Sequence, residues 1–241
     1  MRRAQKYAKL PVKQAVISAS AISLIYSADG IKDYSHEEFL KNLINECEKD
    51  IRQCLQQNAS KVQMDFTEGR LSLKLDPSGS ILRQFIQINN QVFNRFTKEE
   101  QKKIGIHVCP GADHDATHIA DIDYTGFLPQ LFDLNAGNFC IQLASETDRK
   151  KVLNTIRKYL KPGQFVFIGV IDVNNPRIET PEEVRDRVLE AAKYLPVNQL
   201  GTTDDCGFSP FCDDISTTRE TAFAKIRSRV EGTLLAEQEL S

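Results

Sequence analysis

The sequence predicts an α/β fold of the (β/α)8 TIM-barrel type, incomplete, with about six of the eight strand-and-helix units present. Three observations predict it. Short β-rich runs alternate with amphipathic helical stretches along the whole chain, which implies parallel strands joined by right-handed crossovers under covering helices. The run from Phe165 to Ile171 is almost wholly apolar, as a strand buried on both faces must be. No glycine-rich phosphate fingerprint follows the first run, which argues against a dinucleotide-binding sheet.

The strands are expected at Val12 to Ala19, Lys61 to Phe66, Ile104 to Val108, Asn138 to Leu143, Phe165 to Ile171 and Gln199 to Thr203. After the first, Ser35 and Glu38 form a capping box, and Phe39, Leu40, Leu43, Ile44, Cys47, Ile51 and Leu55 trace one apolar stripe ending near Asn58. Leu82, Phe85, Ile88, Val92 and Phe96 mark the next helix, and Phe127, Leu128, Leu131 and Phe132 a shorter one. Val152, Ile156 and Tyr159 mark another, stopped by Lys161-Pro162-Gly163. Thr180-Pro181-Glu182-Glu183 opens a helix with a cap, a first-turn proline and a capping-box glutamate. Phe223, Ile226, Val230 and Leu234 are the expected docking stripe of the last helix. One partial barrel therefore spans residues 1–241. Six units in an eight-strand design leave open edges at the first and last strands, so either the chain is the later part of a longer protein, or a partner or second copy covers the gap.

Composition narrows the function. With 41% hydrophobic and 27% charged residues, the 241-residue chain is able to bury a sizeable core. A net charge of −2 supplies no field for drawing in nucleic acid or anionic lipid, so partners are recognised at a site. Six unevenly spaced cysteines are too sparse for a disulfide scaffold and point to free thiols or metal ligands in the cytoplasm. Arg2, Arg3, Lys6, Lys9 and Lys13 before an apolar stretch mimic an export signal, but Pro11 and Ser18, Ser20 and Ser23 break it. No segment approaches the ~20 apolar residues that span a bilayer.

In a barrel of this type reactive groups gather at the carboxyl ends of the strands. Here those ends carry Asp65, then His107 and Cys109, Gln142, Asp172 with Asn174, and Asp204, Asp205 and Cys206. Alternation along an extended segment turns His107 and Cys109 to the same side. Taken alone, such a pair is more often a satisfied polar contact beside a buried thiol. Cys206, from a different strand end, supplies the second sulfur of a zinc site with an open position. Cys47, Cys54 and Cys140 read as core, Cys212 as a loop residue, and His114 and His118 as part of a solvated acidic loop flanking the mouth.

Ile106-His107-Val108-Cys109, Asp172-Val173-Asn174-Asn175-Pro176-Arg177 and Asp204-Asp205-Cys206-Gly207 together resemble, in order and spacing, the zinc-binding catalytic barrel of the cobalamin-independent methionine synthase family. The resemblance begins at Pro11-Val12-Lys13, similar to the third barrel strand of that family, and runs to the final helix. It implies that zinc held by His107, Cys109 and Cys206 binds homocysteine as a thiolate, and that a methylated folate or other methyl donor alkylates the sulfur to give methionine. Asp65 matches the carboxylate that holds the substrate's amino group. Two positions depart from the family pattern: Gln142 stands where the family has a fourth, glutamate ligand, and Asn174 where it has a proton-donating histidine. Water, Glu146 or the aspartates near Cys109 are the candidate replacements for the ligand. A donor with a better leaving group would need no acid. Two other readings stay open: a non-catalytic remnant that binds zinc or a partner, and a different alkyl-thiol transferase, lyase or hydrolase using Asp172 or Asp204 as base.

Overall fold

A computed structural model of the chain describes residues 1–108, 124–209 and 214–241. The strands β1 (Lys13–Ile17), β2 (Lys61–Asp65), β3 (Ile104–Val108), β4 (Asn138–Ile141), β5 (Phe165–Ile171) and β6 (Leu200–Asp204) stand in the order β1-β2-β3-β4-β5-β6. The pairs β1/β2, β2/β3 and β5/β6 run parallel. Strands that follow one another in chain order are what successive right-handed βα units build, so the sheet has the expected incomplete-barrel topology. All the expected runs are strands, with ends displaced by up to two residues. The first stops before Ala19, because Ser18 turns out of the ladder and its side chain caps the following helix at Ala21 N.

The helices among the described residues are α1 (Arg2–Gln5), α2 (Ala19–Ser23), α3 (His36–Gln56), α4 (Thr67–Leu75), α5 (Ser80–Phe93), α6 (Lys98–Gln101), α7 (Tyr124–Leu131), α8 (Arg149–Tyr159), α9 (Pro181–Ala192) and α10 (Arg219–Leu240). The chain forms two compact units, Met1–His107 with Gln130–Asn138, and Val108–Pro129 with Phe139–Ser241.

In the first unit α3 is capped by Ser35, whose side chain accepts from Glu38 N, and buries Leu43, Ile44, Cys47 and Ile51. It ends where expected: Asn58 takes the left-handed conformation at φ 58° that closes helices. Cys54, expected in the core, is half-buried. α5 buries Leu82, Phe85, Val92 and Phe93, and β2 and β3 bury Val62, Met64, Ile104 and Ile106 completely. Each such side chain contributes about 1.5–3 kcal/mol of burial. β1, the first strand of the order, alternates exposed and half-buried residues, and Ile17 is 56% exposed.

In the second unit β4 is buried throughout, and β5 from Val166 onward is interrupted only by half-buried Phe167. A register shift between Gly169 and Ile171 marks a bulge at Val170, whose carbonyl takes a hydrogen bond from Arg187 Nη1 at 2.7 Å. α9 opens with the expected capping box of Thr180 and Glu183. The expected stripe of α10 is corrected. Phe223, Val230 and Leu234 are exposed, and the buried face is Lys225, Ser228, Gly232 and Ala236. A Cβ on Gly232 would lie 2.4 Å from Pro181 O and 2.5 Å from Val184 Cβ, so α9 and α10 meet too closely for the larger apolar stripe to face inward.

Candidate active site

The first unit carries two of the expected site residues. Asp65, the last residue of β2, and His107, the last but one of β3, are register partners, so both side chains project from the same face of the ladder. Asp65 is half-buried and its Oδ1 accepts from Gln63 Nε2 at 2.7 Å, while Lys13 Nζ donates to Gln63 Oε1 at 2.5 Å. His107 is buried, at 8% exposure.

The same unit holds a buried polar cluster that sequence reasoning missed. Glu68, in the first turn of α4, accepts on Oε1 from Ser18 Oγ at 2.5 Å and from Ser20 Oγ. Ser20 is also tied to Asn89 of α5, its N–H donating to Oδ1 at 3.2 Å and its Oγ accepting from Nδ2 at 2.7 Å. All four side chains are buried, and Glu68 Oε2 has no hydrogen-bond partner. Burial pushes the Glu68 carboxyl above its usual range against the pull of the two serine hydroxyls. The sequence signal was faint: an acidic residue three beyond a strand end, with no apolar period to announce a helix.

In the second unit the strand-end groups are fixed by two polar locks. Asp205 is the centre of the first. Its Oδ1 accepts from Leu143 N and Ala144 N, both at 2.9 Å, and its Oδ2 from Ser145 N at 2.8 Å and Ser145 Oγ at 2.7 Å. Three successive N–H groups thus make an anion-binding nest for a carboxylate of the same chain. Burial pushes the Asp205 carboxyl up to about 6, opposed by these four bonds. Gln142, buried at 3% exposure, donates from Nε2 to Ser145 Oγ at 3.0 Å and to Glu146 Oε1 at 2.6 Å.

The second lock holds the segment after β5. Lys225 Nζ, from α10, donates to Glu179 Oε2 at 2.8 Å, Arg177 O at 2.6 Å and Asp172 O at 3.0 Å. Glu179 Oε1 in turn accepts from Asp172 N at 3.0 Å. Asp172 Oδ1 accepts from Asn174 N at 3.0 Å, and Asn174 Oδ1 is buried without a hydrogen-bond partner. Asp204, a candidate base by position, accepts from Arg229 Nε at 2.9 Å. Sequence reasoning misses Glu179 and Lys225, because a lysine on a helix face reads as solvent-exposed.

Cys206 follows β6 in the second unit and is half-buried. Cys109, His114, His118 and Cys212 lie outside the described residues. Among the described residues no group of three His, Cys, Asp or Glu side chains is placed to hold a metal ion. The chemistry of His107 and Cys206 nevertheless fits zinc, for which imidazole nitrogen and thiolate sulfur are preferred donors.

A model of the cobalamin-independent synthase catalytic domain matches residues 89–231, more than half of the sequence. The chain belongs to this family. Curated relatives include the methionine synthase of Saccharolobus islandicus (strain Y.G.57.14 / Yellowstone #1), 25% identical over 217 residues that make 87% of this chain and 56% of the relative. That of Thermococcus kodakarensis is 26% identical over 156 residues, 65% of this chain and 40% of the relative. A solved B12-independent methionine synthase from Shewanella sp. W3-18-1, in complex with selenomethionine, superposes with a TM-score of 0.71 at 20% identity. It covers 98% of this chain and 65% of its own. This member of the cobalamin-independent synthase family thus spans about half the length of the curated relatives it matches first. No helix among its described residues is long and apolar enough to cross a membrane.

Proposed function

We propose that this chain carries out zinc-dependent transfer of a methyl group to a thiol, with homocysteine as acceptor and a methylated folate or another methyl donor, in the cytoplasm. The observation that carries the reading is the register pairing of Asp65 with His107 at one strand-end rim in a member of the cobalamin-independent synthase family. His107, Cys109 and Cys206 would hold the zinc, which when bound keeps the acceptor sulfur as a thiolate at neutral pH. Asp65 receives the substrate's ammonium group beside it, a charge-assisted contact that fixes the amino acid by its polar end. Gln142, a neutral amide, adds no anionic charge, so the two thiolates alone offset the ion. Asn174 cannot donate a proton to the departing group, which favours a methyl donor whose leaving group departs without one.

A second reading, a remnant that binds zinc or a protein partner without turnover, is favoured by Gln142, Asn174 and the exposed edge at β1. A lyase or hydrolase with Asp204 as base is disfavoured, because that carboxylate is occupied by Arg229. Metal analysis and X-ray absorption of the purified protein, with and without homocysteine, test the proposal. One zinc per chain and a new zinc–sulfur bond on adding homocysteine are expected. Unchanged coordination would remove the acceptor role.

A further inference from the structure

We infer that Asp205 is a positioning residue for Cys206 as a zinc ligand, setting its backbone by locking the end of β6 to the turn that follows β4. The inference rests on the zinc reading above. Asp205 immediately precedes Cys206, and its side chain is pinned at four points to residues 143–145 while its own N–H donates to Ile171 O at 3.0 Å. The backbone bearing the thiol is therefore tied both to β5, its neighbour, and across β5 to the turn after β4. The chain of bonds continues outward: Ser145 Oγ, which donates to Asp205, accepts from Gln142 Nε2 at 3.0 Å. A single hydrogen-bonded unit thus joins the polar head at position 142 to the residue before Cys206.

Gly169 of β5 makes room for this unit. A Cβ there would stand 1.7 Å from Asp205 Oδ1, so the carboxylate reaches its nest only because β5 has no side chain at that point. Ligand donors whose backbone is fixed in advance bind an ion more tightly than donors that must be ordered by it. Loss of an outer partner of this kind typically costs 10–100-fold in metal affinity.

The test uses the full 241-residue chain and zinc alone, with affinity read by competition against a chromophoric chelator and the thermal midpoint of the zinc-free protein read in parallel. Asp205→Asn keeps the shape but turns an NH2 group toward backbone N–H donors, and is expected to weaken zinc about 10–100-fold. Ser145→Ala removes the hydroxyl's bonds to Asp205 and Gln142 and keeps the backbone donors, and is expected to weaken zinc about twofold to tenfold. A purely structural Asp205 would lower the midpoint of the zinc-free variants and leave their affinity unchanged, which overturns the inference. If Asp205→Asn does not fold, Ser145→Ala decides the outcome. Failure of the unsubstituted chain to take up zinc overturns the zinc reading itself, and the inference with it.

Discussion

Asp65 and His107 face each other across one rung of the parallel β2/β3 ladder, a carboxylate beside an imidazole at the carboxyl ends of their strands. The two have different expected duties, one toward the substrate and one toward the ion. Asp65→Ala is expected to weaken homocysteine binding about tenfold to a hundredfold, the worth of one charge-assisted contact, and to leave zinc content intact. His107→Ala is expected to lower zinc content. Calorimetry of homocysteine binding and metal analysis separate the two; equal homocysteine affinity with and without the carboxylate would remove Asp65 from the site.

Lys225 and Glu179 are both buried, at 0% and 2% side-chain exposure, 2.8 Å apart. Removing one partner strands the other charge, so Lys225→Met is expected to cost about 3–5 kcal/mol in urea unfolding. Lys225→Met combined with Glu179→Leu is expected to recover much of that loss. A Lys225→Met protein as stable as the parent would show that the segment from Asp172 to Glu179 is held by other contacts.

Glu68 has its carboxyl raised by burial, so in the folded state it resists ionising. The linkage sign follows directly. A group whose folded pKa lies above its unfolded value stabilises the fold below the unfolded value, and that contribution is lost as pH rises through the folded one. Relative to Glu68→Gln, which does not titrate, the parent protein is therefore expected to lose stability as pH rises above the ordinary carboxylate range, about pH 4. Denaturation midpoints of the pair that run parallel over that rise would contradict the assignment.

Cys47 lies on the buried face of α3, where burial, Asp50 and Glu46 push its thiol up to about 11. At pH 8 only about one molecule in a thousand carries the thiolate there. Alkylation followed by peptide mapping is expected to modify the half-buried Cys206 well before Cys47 in the native protein. Equal rates would mean that α3 opens readily.

Much of the fold was legible because local chemistry and tertiary role coincide. Ser35 with Glu38 and Thr180 with Glu183 start helices by satisfying their first N–H groups, a requirement met within a few residues of sequence. The buried run of β5 reads as a strand for the same reason. α10 misled because its apolar residues and its docking face differ. The close approach at Gly232 selects small residues for contact, and the sequence shows which residues are apolar but not how near a neighbour comes. Asp65 and His107 were legible as strand ends, whereas the partners that fix Asp205 lie some 60 residues away and leave no local trace.

The sequence by itself determined the alternation of strands and helices, their caps and the residues standing at the strand ends, because each follows from periodicity and hydrogen-bond chemistry within one turn or one strand. Only the tertiary structure decided that Asp205 is gripped by the turn after β4, that Lys225 is buried against Glu179, and that Glu68 sits among serines. These are pairings between distant segments. Their stability depends on excluding water from charges that, in the unfolded chain, would all be hydrated alike.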